Sequence, residues 1–472
     1  MTIKKIPLSI IVIFFGFLLS VSVSIYNLQK YDKNVEINGK TYHLMIKTDS
    51  YRYLSHGAEI KKDLENGINF FDTGRENYTK YLPPRIAAAY YYFFNIDLFN
   101  NLEEKKINTG IHFKYLLFQC MFYFFCVLML YFSISQILNK EICLFIVLFL
   151  CLEPTIFQYH GTFWSESIFF SLQVLLISLI LKKNSSYLNF FAIGFFLAIL
   201  SMQKQMSLFY IIPVIIYLLI FTEHMKFRKI SSLLIGFIII QAFLGFNNYK
   251  RSGQFYIMTA DTKIDLHIYL VTRVMSKKYE ITGMEFNLLE GKATKRWIEN
   301  NLIEYDKKNY NFEKNLSFTK YRHSIIKEED KIRFDNFIRS RTFDYLFKYP
   351  LDFLIHIAKS SMHTILLNPF HIFSDHNFRS GEYYYTSDTH DKLIPYRIFY
   401  SILIYVVCLL GFSALVKQKK ISLLIYLFLS ILYFYGFVCW HGDTRYFVPV
   451  LIYLSFFFGI GLDKIINIKK KI

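Results

Sequence analysis

Cysteine and proline are scarce in this 472-residue chain, which has 6 Cys and 9 Pro. The cysteines all lie within apolar runs, where they form neither the paired spacing of a metal site nor a loop-based disulfide framework. Internal repeats and low-complexity linkers are missing as well. The chain is therefore neither a disulfide scaffold nor a disordered protein.

Hydrophobic residues make up 54% of the sequence, and charged residues, at 19%, rarely fall inside the apolar runs. Many of these runs are about 18 to 24 residues long, the length that crosses a bilayer core as a helix. This distribution excludes a soluble globular enzyme. It predicts an all-α polytopic membrane protein with about ten transmembrane helices, over roughly 6–26, 113–138, 142–158, 165–181, 187–203, 206–222, 230–247, 393–416, 421–439 and 446–463.

The net charge of +18 comes from 54 Lys and Arg against 36 Asp and Glu. Such a balance often indicates nucleic acid, but cationic loops of a membrane protein explain it more simply, and we expect no nucleic-acid partner. Lysines and arginines cluster in connections on one side of the predicted spans, at 140, 182–183, 226–229, 417–420 and 469–471. By the positive-inside rule this side is cytoplasmic, and ten spans place both termini there.

By its pattern of spans and loops, the whole sequence divides into three regions. Residues 1–247 form an N-terminal transmembrane module whose first outer loop spans 27–112. Residues 248–392 form an extracytoplasmic loop or small domain with an interfacial helix over 351–373, and 393–472 hold the C-terminal transmembrane helices. The predicted location is the cytoplasmic (inner) membrane, with an uncleaved first span.

The short outer turns carry isolated ionisable residues where the inner turns carry generic lysine clusters. Lys204 and Arg445 run against the positive-inside bias, and Glu166 lies at an outer helix end. Charges at membrane depth are costly and often mark sites. The alternative is structural: the cations reach toward outer headgroups, or Arg445 pairs with Glu166 or Asp443.

The first outer loop contains two further motifs. Asp49–Tyr53 reads Asp-Ser-Tyr-Arg-Tyr, and Tyr81–Arg85 reads Tyr-Leu-Pro-Pro-Arg at the start of a short apolar segment, Tyr81–Phe94, that we interpret as interfacial. Asp49 and Ser50 could equally begin a helix, and a Pro pair suits a helix start. Singly, each motif is weak.

The order of the motifs resembles the GT-C superfamily of integral-membrane glycosyltransferases. The resemblance is to the bacterial branch similar to protein O-mannosyltransferases and the aminoarabinose transferase of lipid A. It rests on Asp49–Tyr53, Tyr81–Arg85, Glu153-Pro154, Ser165-Glu166 and Arg445-Tyr446-Phe447-Val448-Pro449. It implies a polyprenyl-phosphate-linked sugar donor, an extracytoplasmic acceptor and an active site on the outer side of the membrane.

The resemblance also implies residue roles. Asp49 matches the catalytic acidic residue of the first outer loop, and Arg445 and Lys204 match basic residues near the donor phosphate. Ser50 departs from relatives that carry a second acidic residue there, and Lys204 stands where others have Arg before Pro. The Trp-Trp-Asp-Tyr-Gly type motif of oligosaccharyltransferases is missing, which argues against transfer to asparagine.

Transfer from a lipid phosphate to a hydroxyl needs a carboxylate to take the proton and cations to stabilise the departing phosphate. One base suffices for direct displacement with inversion. Glu166 could orient Arg445, bind a sugar hydroxyl or hold a divalent cation, so metal dependence and cofactors stay open. The other substrate-binding or supporting candidates are Arg85, His441 and Tyr51.

Three other functions are compatible with such a chain. A polymerase or ligase of lipid-linked oligosaccharide also uses outer cations, but its motifs come in a different order. A transporter or flippase is expected to have paired broken helices and mid-membrane ionisable groups, whereas here the candidate groups collect at one surface. A purely structural assembly protein is the third.

Overall fold

The computed structural model describes most of the chain. Those residues are 7–31, 34–37, 40–43, 48–68, 81–95, 109–182, 186–221, 226–252, 255–257, 266–301, 325, 327–367, 387–440 and 444–469. The fold is all-α and polytopic, as predicted, with one short two-stranded hairpin in the first outer loop.

The helices of the first half are α1 Leu8–Tyr31, α2 Thr48–Glu65, α3 Leu82–Phe93, α4 Thr109–Ile134, α5 Lys140–Leu152, α6 Pro154–Phe157, α7 Glu166–Ile180, α8 Tyr187–Gln203, α9 Ile211–Phe221 and α10 Lys226–Ser252. Short 3₁₀ segments follow α6, at Gln158–Gly161, and precede α9, at Gln205–Tyr210. Strands β1 Asn34–Ile37 and β2 Lys40–His43 pair antiparallel, with Asn34 opposite His43.

In the second half, a π turn at Leu266–Val271 leads into α11. The helices are α11 Thr272–Lys278, α12 Gly283–Asn301, α13 Glu328–Lys348, α14 Pro350–Ile365, α15 Ser387–Lys417, α16 Ile421–Val438 and α17 Val448–Lys469, with a 3₁₀ turn at Thr444–Tyr446 before the last.

Each predicted span contains an apolar helix, but the count of ten is not confirmed. Among the described residues, 6 helices are long and apolar enough to cross a membrane, or 7 if the bent pair formed by α5 and α6 is one span. The three others are shorter apolar helices, over Glu166–Ile180, Tyr187–Gln203 and Gln205–Phe221. A span needs about 20 residues of helix, and these three helices are shorter than that, although they lie where spans were predicted.

One predicted span, 142–158, is not straight. It bends by 48° where Glu153 and Pro154 separate α5 from α6. Proline lacks the N–H that would continue the helix, and Glu153 has extended backbone and caps the new turn by accepting from the Thr155 N–H at 3.2 Å. The break redirects the chain into the 3₁₀ segment Gln158–Gly161, which precedes the turn that leads to Glu166.

The bundle holds its helices close through glycines. A Cβ at Gly194 on α8 would overlap the Leu233 carbonyl of α10, and Gly236 stands in the same relation to Phe191. Gly411 on α15 and Gly461 on α17 form a second reciprocal crossing. Small residues at such crossings let backbones approach and pack in a membrane.

Replacing Gly411 by Ala is therefore expected to destabilise the protein by about 1–3 kcal/mol, because the added methyl overlaps the Phe457 carbonyl. The matched control is Gly436→Ala on α16, where a Cβ would meet nothing within 4 Å. The thermal unfolding midpoint in detergent measures both variants. Equal midpoints for Gly411→Ala and Gly436→Ala would contradict this role of the crossing.

The ends of the bundle differ in chemistry. At the lysine-bearing end, the Lys420 ammonium donates to the Ile137 carbonyl at 3.4 Å, which joins α16 to the end of α4. At the other end, α2 packs on α3, and both share an apolar cluster with the ends of α1 and α4. Phe163, from the turn before α7, is buried in the same cluster. The first outer loop thus packs beside that turn.

The helices of the second loop gather around Phe286 and Met275, and Trp440 at the end of α16 packs against this cluster. Helix α14 is attached to the bundle by its C-terminal end. There Arg397 on α15 donates to the Leu366 carbonyl at 2.9 Å, and Ser401 accepts from the Leu367 N–H at 2.9 Å. The predicted interfacial helix 351–373 thus has helical structure over Pro350–Ile365, and 368–373 lie outside the described residues.

Candidate functional site

Glu166 opens α7, and the turn before it is held by side-chain amides from three spans. Asn27 on α1 donates to the Gly161 carbonyl at 3.1 Å. Gln119 on α4 donates to the Thr162 carbonyl at 3.0 Å, and Gln203 on α8 donates to the Ser165 carbonyl at 2.9 Å. These buried amides bond carbonyls of the turn from three different helices, so the position of Glu166 is set by several helices.

Glu166 binds two cations through the same oxygen. Its Oε1 lies 2.8 Å from Lys204 Nζ and 2.5 Å from Arg445 Nε. The Glu166 side chain is fully buried, while 5% of the Lys204 side chain and 13% of the Arg445 side chain are exposed. Residues 38 and 279 positions from Glu166 in the sequence therefore converge on one carboxylate, at the end of the bundle opposite the lysine-bearing connections.

Aromatic rings surround the two cations. The Arg445 guanidinium stands 4.0 Å above the centre of the Trp164 ring. Lys204 Nζ lies 5.2 Å from the centre of the Phe169 ring and 5.8 Å from that of Tyr446. Ring faces attract cations, most strongly where water is excluded, so the rings help to keep both cations at the mouth.

The three ionised groups, taken together, carry a net charge of +1. A buried carboxylate is costly unless it is paired, and here two cations in contact compensate for its burial. The excess cation makes the cluster suited to an anion rather than to a second cation. Among the described part of the chain, moreover, no three His, Cys, Asp or Glu side chains gather as a metal site would require.

The structure describes the other predicted site residues only in part. Asp49 and Tyr51 lie in the first turn of α2, but their side chains are outside the described residues. His441 also lies outside them. Arg85 on α3 contacts Tyr81: its guanidinium lies 3.5 Å above the Tyr81 ring and donates to the Tyr81 carbonyl at 3.2 Å.

The Tyr81 ring also meets the outer end of α10. Asn247 donates to the Tyr81 hydroxyl at 3.5 Å. Gly57 on α2 approaches α3 closely, since a Cβ there would lie 2.7 Å from the Ala87 Cβ. Helix α2 thus packs on α3, and its Leu54 belongs to the same apolar cluster as Phe163.

A second buried ionic cluster lies in the second loop. Glu290 accepts from Arg341 Nε at 2.7 Å and Nη2 at 2.6 Å, and from the Tyr345 hydroxyl at 2.7 Å. His267 Nε2 lies 3.5 Å from the same carboxylate. Burial raises the pKa of Glu290, but hydrogen bonds from His267, Arg341 and Tyr345 outweigh it and lower the pKa to about 2.

The depressed pKa makes this cluster a source of stability at neutral pH. Because the Glu290 pKa is lower in the folded state, its contribution is present above about pH 4.5 and is lost as the pH falls toward 2. Glu290→Gln should remove on the order of 3 kcal/mol at pH 7. Hydrogen exchange of α12 measures the loss.

The matched control for that prediction is Glu299→Gln on the same helix. Glu299 is exposed, 4.0 Å from Lys295, and such surface pairs contribute little. Similar protection of α12 in both variants would show that Glu290 contributes no more than a surface carboxylate.

The amides Asn27 and Gln119 were not identified as important from the sequence. Gln119 carried a signal, since it is the one polar amide in the apolar stretch 115–130. Asn27 carried none, because it follows the predicted first span and lies beside Gln29 and Lys30.

The comparison with known families agrees with this architecture. Residues 93–246 match the family model described as dolichyl-phosphate-mannose-protein mannosyltransferase. The match covers about a third of the chain, from the end of α3 into α10, and includes Glu166 and Lys204. It confirms the predicted resemblance to GT-C membrane glycosyltransferases. No curated protein matches the chain.

Proposed function

We propose that the protein transfers a sugar from a polyprenyl-phosphate carrier to an extracytoplasmic acceptor, with inversion at the sugar carbon. The observation that supports it best is the convergence of Lys204 and Arg445 on the buried Glu166 at the outer mouth. The matching family is described by a mannosyltransferase that uses a lipid phosphate-linked sugar, which favours the same donor class here.

In the proposed reaction, Asp49 accepts the proton of the acceptor hydroxyl as its oxygen forms a bond to the sugar C1. The bond from C1 to the phosphate oxygen breaks, and the phosphate leaves with the bonding electrons. Lys204 and Arg445 stabilise the charge that grows on it. Asp49 suits this role through its place on α2, which packs beside the turn leading to Glu166.

We place this reaction on the extracytoplasmic side because the lysine-rich connections lie at the opposite end of the bundle. The termini then lie in the cytoplasm, the first outer loop contributes Asp49, and the second-loop cluster around Phe286 lies near the mouth. Trp440, which joins the second-loop cluster to the segment before Arg445, favours acceptor binding between these parts. The carrier enters from the bilayer and the acceptor from the outside.

The donor class can be tested with purified protein in lipid nanodiscs. Radiolabelled sugars on polyprenyl monophosphate should be consumed in the presence of a membrane extract that supplies acceptor, whereas polyprenyl diphosphate-linked repeat units should not. Consumption of the diphosphate donor alone would support a polymerase or ligase instead. Movement of an intact labelled donor between leaflets of a liposome, without cleavage, would indicate a flippase.

A further inference from the structure

The pairing of one carboxylate with both cations has a consequence for the end of the reaction. We infer that Glu166 is a positioning and charge-setting residue that allows the lipid phosphate product to leave. This inference rests on the proposed function, since it concerns the same phosphate site. Glu166 itself would touch neither the sugar nor the acceptor.

The contacts of Glu166 differ from those of a residue that only caps a helix N-terminus. Its Oε1 is the common acceptor for Lys204 and Arg445, which come from two different turns. Fully buried between them, the carboxylate reduces the positive charge that any ligand of these cations meets. A helix N-terminus needs no carboxylate for capping alone, because a hydroxyl or an amide also accepts from it.

The charge of the lipid changes by one unit during transfer. The donor is a phosphodiester with a charge of about −1, and the polyprenyl phosphate product is a monoester with about −2 above its second pKa near 6. Coulomb energy is proportional to ligand charge, so the same site without the negative charge of Glu166 would favour the product over the donor more strongly. Glu166 lowers that preference and so favours release.

Glu166→Gln should therefore tighten product binding more than donor binding. If removal of the carboxylate strengthens binding about tenfold per unit of ligand charge, equal to 1.4 kcal/mol, the donor gains about tenfold and the product about a hundredfold. The ratio of product to donor affinity then rises about tenfold. The steady-state kcat and KM should both fall, as product release becomes slow.

The measurement is the binding of a polyprenyl monophosphate and of a non-transferable phosphodiester analogue to the protein in nanodiscs at about pH 8, where the monoester is fully ionised. Glu166→Asp keeps the charge and should leave the affinity ratio near that of the unchanged protein. Glu141→Gln is the matched control, because it removes an exposed carboxylate at the lysine-bearing end of the bundle.

A double variant shows whether a changed affinity ratio in Glu166→Gln comes from the lost charge or from misfolding. Glu166→Gln with Lys204→Gln removes one charge of each sign, so the affinity ratio should return to that of the unchanged protein. An unchanged ratio in Glu166→Gln, or an equally raised ratio in the double variant, would overturn the inference. If the unchanged protein binds neither lipid, the proposed function itself fails.

Discussion

Asn in place of Asp49 is expected to lower the transfer rate by about 10²–10⁴-fold, the usual contribution of a general base, in a protein that still folds and inserts. The amide keeps the shape of the side chain but cannot accept the acceptor proton. Turnover of labelled donor at saturation, with thermal unfolding measured on the same preparation, checks both parts. Near-normal turnover would remove Asp49 from the mechanism.

Asp63→Asn provides the control for this experiment. Asp63 lies on the same helix as Asp49, near its C-terminal end, and the substitution removes the same charge. We expect its turnover to stay close to that of the unchanged protein. An equal loss in both variants would indicate that the helix depends on its overall charge rather than on a base at position 49.

Arg445→Ala is expected to lower kcat/KM for the lipid donor by about 10²–10³-fold, because a buried cation facing developing phosphate charge is lost. Arg445→Lys should recover part of this activity, since it restores the charge without the planar fork that matches phosphate oxygens. Equal kcat/KM in the Ala, Lys and unchanged proteins would exclude a role in phosphate binding. Arg333→Ala, at a side chain that is 66% exposed, is the control.

The Arg445→Ala variant also distinguishes a role of Arg445 in donor binding from a purely structural role as the partner of Glu166. Removal of Arg445 leaves Glu166 with Lys204, a contact of 2.8 Å, so part of the compensation of the buried carboxylate persists. If Arg445 served only that pair, Arg445→Ala would lower the unfolding midpoint and leave kcat/KM of the folded fraction unchanged. The two readouts therefore distinguish the roles.

Local sequence predicted the spans well and their shape less well. Apolar runs determine where helices form, because backbone groups in a bilayer must be paired within the helix. The break at Glu153-Pro154 was visible as a proline, yet its 48° bend follows from how the chain turns along the bundle end. The bounds predicted for α7 and α8, 165–181 and 187–203, agree with the observed helices, and the predicted 206–222 is a 3₁₀ segment followed by α9. Apolar composition did not show that these three are shorter than a full span.

The transporter alternative is weakened by the same features. Such folds are expected to have paired broken helices around ionisable groups near the bilayer midplane. One bent pair is found among the described residues, and its break lies at the outer end, near the turn that carries Glu166. The Glu166, Lys204 and Arg445 cluster lies at that end too.

By itself, the sequence determined the all-α polytopic fold class, the lysine-bearing connections and the unusual charges between the other spans, since hydropathy and charge placement are local properties of the chain. Only the tertiary structure decided that Lys204 and Arg445 meet at one oxygen of Glu166, because these residues lie on separate turns whose approach depends on helix packing. The tertiary structure alone also decided the hydrogen bonds of three side-chain amides. Each of these amides bonds a carbonyl that becomes a neighbour only after the bundle forms, and they belong to Asn27, Gln119 and Gln203.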